Sequence, residues 1–265
     1  MNKGALGKVL GSKHSENGQG EVRKKLALIS NEAAPRAVLI DHHLASGNGP
    51  AAWICWAGWA ADCWPWVAAA AFRKALQKPD SAAAAARLHF TLASGGKADE
   101  ARQFADGWLQ QHPDDLGFRF HLGDMARNGG DLVAAEARYR EVLKRLPDNV
   151  MALNNVAEVL LRQKKPGAVA LAQRAVTLAP NRPALMDTLA MSYAGDNQLD
   201  KALDLQRQVV AQSPRSAVFR LNLARLQLQA GDKDGARAEL DKLARLGSSF
   251  DGQAQVQQLL KDLGT

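Results

Sequence analysis

The sequence predicts an all-α chain folded as a solenoid of helix-turn-helix repeats, and three observations carry that reading. Pro79, Pro113, Pro147, Pro180 and Pro214 stand 34, 34, 33 and 34 residues apart. Each closes a segment rich in alanine and leucine, and a proline that cannot continue a helix marks its stop. Within each unit a second, polar break divides the apolar pattern into two stretches of helical period. Arrays of this kind commit their side chains to packing one repeat on the next and to a ligand surface, so the class of function is binding, with no catalysis.

The elements follow in order. Phe72 to Pro79 reads as a second helix without its first, a half unit over 67–80. Five full units follow at about 81–114, 115–148, 149–181, 182–215 and 216–248, with first helices beginning near Ala82, Leu116, Val150, Pro183 and Ala217. A leucine or valine recurs in them at Leu88, Leu122, Val156, Leu189 and Leu223. A small residue follows at Gly123, Ala157, Ala190 and Ala224, with His89 the exception. After the turn an alanine returns at Ala101, Ala135, Ala168, Ala202 and Ala236. Small residues there let antiparallel helices approach closely.

Gly95-Gly96, Gly129-Gly130, Gly195-Asp196-Asn197 and Gly231-Asp232 supply residues that tolerate positive φ where a first helix stops. Pro166-Gly167 breaks the third unit instead. That unit has the 33-residue spacing, which places the missing residue in its turn. Asp251 to Leu263, polar on one side, predicts a terminal helix over 250–264 that hides the last apolar face.

In the second unit Leu122, Gly123, Ala135, Tyr139 and Pro147 stand close to the full pattern of the tetratricopeptide (TPR) repeat, which the chain resembles from about Val67 to Gly247. The resemblance implies a right-handed superhelical solenoid whose first helices line a concave groove. The stretches Ala152 to Leu161, Leu178 to Ala190 and Leu221 to Leu240 are similar to the C-terminal part of the TPR-repeat lipoprotein family found with PEP-CTERM sorting and exopolysaccharide genes. That resemblance implies a role in bacterial envelope or polysaccharide assembly, the alternatives being a scaffold tethered to a membrane through 51–72 or the regulatory array of a glycan-modifying enzyme.

With 46% hydrophobic residues the chain has enough apolar surface for a large core. Residues 1–80 carry ten Lys and Arg against six Asp and Glu, while 81–265 carry 24 against 21. Near-neutral repeats of mixed sign argue against nucleic acid as a partner. Residues 1–66 are read as irregular, with no signal core and no lipid-anchor cysteine where one is expected. As written the chain reads as cytoplasmic, whereas the lipoprotein resemblance implies the periplasm or envelope. Five tryptophans with Cys55 and Cys63 crowd 53–66. Three readings stand for this region: a membrane anchor over 51–72, a segment buried on the first repeat, or a stretch outside the native reading frame. Asp62 and Pro65 weigh against the anchor.

No cofactor or metal is expected. Gly4 to Lys13 lacks the order of a phosphate-cradling loop, and Asp41-His42-His43 lacks further ligands at a usable spacing. Trp108, Tyr139 and Tyr193 read as packing residues. The candidate site is instead the groove, where the resemblance turns inward the positions flanking each leucine-small pair. These are Phe120, His121, Asp124 and Arg127; Asn154, Asn155 and Glu158; Asp187, Thr188 and Met191; and Asn222 and Arg225. The expected occupant is a protein or extended peptide. Asparagine amides can donate to and accept from its backbone, and Arg127, Glu158 and Arg225 can read its charge. Loss of Asn155 and Asn222 is then expected to leave the fold nearly unchanged. No lysine-and-asparagine carboxylate clamp is visible.

Overall fold

The computed structural model describes residues 64–76 and 82–264. The Trp/Cys-rich segment up to residue 63, with Cys55 and Cys63, and the Asp41-His42-His43 and Gly4 to Lys13 readings lie outside them. Among the described residues there are twelve α-helices and no strand: α1 (Trp64–Ala75), α2 (Ala82–Ser94), α3 (Ala98–Gln111), α4 (Leu116–Asn128), α5 (Leu132–Arg145), α6 (Val150–Arg162), α7 (Ala168–Leu178), α8 (Pro183–Gly195), α9 (Leu199–Gln212), α10 (Ala217–Gln229), α11 (Lys233–Ala244) and α12 (Gln253–Gly264). None of these helices is long and apolar enough to cross a membrane.

The helix ends repeat one local chemistry. At the turn inside each pair a residue takes positive φ: Gly96, Gly130, Lys164, Asn197 and Gly231. The N–H of the following residue then reaches back to a carbonyl of the preceding helix, Lys97 to Leu92, Asp131 to Ala126, Lys165 to Leu160, Gln198 to Tyr193 and Asp232 to Gln227, all at 2.8–2.9 Å. This satisfies carbonyls that the helix end would leave orphaned. In the third pair the left-handed residue is a lysine, and Pro166-Gly167 follows it, with Gly167 at φ 98° capping α7. That helix begins at Ala168, whereas the other second helices of the five full pairs begin three residues before the matching alanine. The missing residue therefore does fall in this turn.

Between pairs, His112, Leu146, Ala179 and Ser213 each give a last N–H to the carbonyl of Trp108, Val142, Ala175 or Val209. Each then leaves the helical region just before a proline. Asn149 and Ser216 accept from the backbone of Ala152 and Phe219 to start α6 and α10, and Pro183 opens α8.

The chain divides into two compact units, with the boundary between Phe118 and Arg119. In the first, Ala69, Leu88, Leu92 and Ala101 form a buried cluster covered by Phe72, Leu76 and Phe104. Trp108 is buried, as expected of a packing residue, and its indole N–H donates to Asp115 at 2.9 Å. The other Asp115 oxygen accepts from the Phe118 backbone at the start of α4.

In the second unit three clusters succeed one another. Ala135, Tyr139, Val156, Ala157, Ala172 and Leu189 anchor the first. Ala194, Ala202, Leu223 and Leu226 anchor the second, and Leu221, Ala224, Leu240, Leu243 and Val256 the third. Tyr193 packs against both of the first two, its hydroxyl donating to Gln173. Helix α12 lays Val256, Leu259, Leu260 and Leu263 on the third.

The alanines named for close approach, Ala135, Ala168, Ala202 and Ala236, are buried at 5% exposure or less. Gly123 shows the same requirement at its extreme: a Cβ there would stand 2.6 Å from the Tyr139 ring.

Candidate functional site on the first helices

Residues three, four and seven apart share one face of a helix. All twelve site residues lie on one such stripe of four successive first helices, α4, α6, α8 and α10, within the second unit. The opposite stripe, including Leu153, Val156, Ala157 and Leu160 on α6, is buried in the core. Helices α6 and α8 pack directly on each other, as do α8 and α10.

Two hydrogen-bonded clusters organise this face. In the first, the Asp124 carboxylate accepts from the Tyr139 hydroxyl at 2.6 Å and from the Asn155 amide at 3.4 Å. Arg127 lies 3.8 Å from Asp124 and donates to Glu158 at 2.6 Å, tying α4 to α6. Burial and the hydrogen bond to Asp124 hold the Tyr139 phenol well above its usual pKa, so it stays a donor. Burial alone would lower Arg127, but Glu158 and Asp124 outweigh it and the guanidinium is held more firmly charged.

In the second cluster, Asp187 accepts from Gln206 at 2.7 Å and from Asn222 at 3.0 and 3.1 Å. Gln206, on α9 and with no exposed surface, also donates to the Phe219 carbonyl at 2.9 Å. Arg225 donates to the Asn222 carbonyl oxygen at 3.3 Å. Burial pushes the Asp187 carboxyl above its usual pKa, and the charge of Glu158 acts in the same direction against the two amide hydrogen bonds.

The spacing of Asn154, Asn155 and Asn222 predicts uncommitted amides, and the fold buries them instead, at 8%, 5% and 9% exposure. Asn155 and Asn222 bond carboxylates of the preceding repeats, 31 and 35 residues away. Removing them therefore costs stability, contrary to the expectation of a near-neutral change. Asn154 differs: its side-chain oxygen is buried without a hydrogen-bond partner.

Phe120 turns toward the core, its ring 5.2 Å from that of Tyr139, and the Thr188 hydroxyl bonds its own helix at Ala184. His121 is half-buried, and burial lowers its pKa against the pull of Asp124. Met191 covers the second apolar cluster. Among the described residues no group of three or more His, Cys, Asp or Glu is placed to hold a metal ion.

Sequence reasoning missed two members of the face. Met151 and Val218, at 55% and 56% exposure, occupy matching positions one turn before Asn154 and Asn155 and before Asn222. The three-and-four spacing carried one turn back would have found them. It also missed Gln206, a second-helix residue whose position matches Tyr139.

Two models of the tetratricopeptide repeat match the chain, over residues 120–183 and 193–263. Cellulose synthase operon protein C of Xanthomonas axonopodis pv. citri is 34% identical over 163 residues, covering 58% of this chain. The chain spans only 11% of that relative's length. A tetratricopeptide repeat protein of Parabacteroides merdae superposes with a TM-score of 0.64 at 15% identity, covering 88% of this chain and 86% of that one. YrrB, described as a TPR protein with an unusual peptide-binding site, superposes with a TM-score of 0.53 at 21% identity, covering 72% and 99%.

Proposed function

The chain belongs to the tetratricopeptide repeat proteins, and from that premise we propose that it is a non-catalytic scaffold holding an extended protein segment along the first-helix face of α4, α6, α8 and α10. The observation that supports this most is the division of labour on those helices. Leucines, valines and small residues fill the core, while one continuous stripe of acids, asparagines and arginines runs along the other side, its members bonded to one another across the repeats. Such a face has the chemistry for a peptide: Met151, Met191 and Val218 offer apolar contact, and Glu158 and Arg225 offer charge. The face comprises Phe120, His121, Asp124, Arg127, Asn154, Asn155, Glu158, Asp187, Thr188, Met191, Asn222 and Arg225, with the buried members holding the others in place.

We infer a setting in bacterial exopolysaccharide or envelope assembly. Identity to the cellulose synthase operon protein supports it, together with the resemblance of the later repeats to the exopolysaccharide-associated lipoproteins. The test is affinity capture with the full chain, followed by identification of the bound proteins. Glu158→Gln with Arg225→Gln should reduce capture of the wild-type partner several-fold, and Lys144→Glu with Gln208→Glu on the second helices should not. The reverse pattern would move the binding surface to the second helices.

A further inference from the structure

We propose that the occupant of this face is a segment carrying a lysine that enters between Asn154, Glu158 and Asp187, and an acidic residue that meets Arg225. The inference rests on the binding role assigned to the face and adds the chemistry of its partner.

The first half begins with an orphan. Asn154 is more than nine-tenths buried, and its side-chain oxygen has no donor. An unpaired buried acceptor is costly, so a ligand that brings a donor to it recovers that loss. Glu158 stands four residues on along α6 and shares the face. Asp187 holds the position matching Asn154 on the next first helix, which packs directly against α6. Asp187 is bonded only by neutral amides, and no Lys, Arg or His side chain of the described residues lies within 4.0 Å of it. Glu158 is paired to Arg127, yet its charge still reaches Asp187. Two carboxylates and an amide oxygen with one missing donor suit an ammonium group, which has three N–H bonds to give.

The second half is the opposite charge further along. Arg225 occupies the position held by Asp124, Glu158 and Met191 in the preceding repeats. It is half-buried and no carboxylate of the described residues lies within 4.0 Å of it; its bond is to the neutral Asn222 oxygen. Asn222 is oriented by Asp187, so the acid that attracts the lysine also aims the arginine. A guanidinium presents a fork of donors that matches a carboxylate. Neighbouring first helices lie about 8–10 Å apart, and an extended chain advances about 3.3–3.6 Å per residue. The lysine sits between α6 and α8, about one and a half spacings from α10, so it and the acidic residue should be about three or four residues apart.

The experiment uses the full chain and a set of labelled twelve-residue peptides of alanine, serine and glycine. A lysine and a glutamate are placed one to seven residues apart in both orders, and a peptide with glutamine at both positions is the reference. Fluorescence anisotropy should show tightest binding at a separation of about three or four, in one order only, about tenfold tighter than the reference. Arg225→Glu should transfer the preference to a peptide with lysine at both positions. Arg225→Gln, which keeps the fold with less perturbation, should abolish the preference for glutamate. Equal binding of every peptide, or a glutamate preference indifferent to both Arg225 variants, would overturn the proposal and leave the binding face standing. The face itself fails by a different result, capture of the partner lost only with second-helix variants.

Discussion

The junction of α4 and α5 with α6 and the junction of α8 and α9 with α10 use the same scheme with different charge. In each, a carboxylate on a first helix accepts from a residue on its own second helix and from an asparagine on the next first helix. Tyr139 and Asn155 serve Asp124. Gln206 and Asn222, each 67 residues further along, serve Asp187. Asp124 also has a cation, Arg127, which continues to Glu158; among the described residues Asp187 has neutral donors only. The junction between them lacks the device, because Ala172 holds the position of Tyr139 and Thr188 bonds its own helix. A carboxylate neutralised inside the fold serves as a tie between repeats. One held by amides ties repeats too, and its charge is met by neutral donors alone among the described residues.

The largest expected contrast is in the second-helix donors. Tyr139→Ala should destabilise by about 3–5 kcal/mol in urea unfolding, since it removes a fully buried ring as well as the hydrogen bond. Gln206→Ala should cost less, about 1–3 kcal/mol, most of it from leaving Asp187 and the Phe219 carbonyl short of a donor. Equal losses would mean that the ring is not what sets the first junction apart.

Next in size is the glycine under that ring. Gly123→Ala should cost about 1–3 kcal/mol by driving a Cβ into Tyr139. Gly107→Ala on α3 meets no heavy atom within 4 Å and should stabilise by about 0.4–1 kcal/mol. Thermal melts of the two variants should move in opposite directions.

A smaller contrast isolates the charges. Asp124→Asn should cost about 1–2 kcal/mol at neutral pH through its partners Tyr139 and Arg127, and Asp187→Asn should be close to neutral. Burial holds the folded Asp187 carboxyl above its unfolded pKa. Folding is therefore opposed by this group at neutral pH, and the opposition disappears as pH falls below about 4. Relative to Asp187→Asn, the wild type should gain stability between pH 7 and pH 4. A wild-type advantage that grows with rising pH would contradict the assigned environment.

The smallest effect belongs to His121, whose pKa burial lowers from about 6.5. The unfolded chain takes up the proton more readily, so the contribution is full above about pH 6.5 and is lost as pH falls through the folded value. Substituting His121→Gln should flatten that part of the stability profile, and an unchanged profile would place the imidazole in solvent.

The fold was legible because its punctuation is local. Proline ends a helix wherever it stands, and the left-handed residues at 96, 130, 164, 197 and 231 keep the same period as the prolines. The shortened α7 could be placed from a single missing residue. The face was legible as rows, since helical spacing fixes which positions share a side. What the rows do was not: the partners of Asn155 and Asn222 lie 31 and 35 residues away, and a hydrogen bond across a repeat junction leaves no mark in local spacing. A polar residue on an inward row reads as available until packing shows what it holds. Gln206 was hidden for the complementary reason, because a glutamine in a second helix looks like surface and here has no exposed surface.

The shared junction scheme is tested most directly by double-mutant cycles, Asp187→Ala against Asn222→Ala and Asp124→Ala against Asn155→Ala, read as unfolding free energies of the full chain. Residues joined by a hydrogen bond across the junction should show a coupling energy of about 0.5–3 kcal/mol in each cycle. Strictly additive losses in both cycles would contradict the account, since the asparagines would then be neighbours of the carboxylates without holding them.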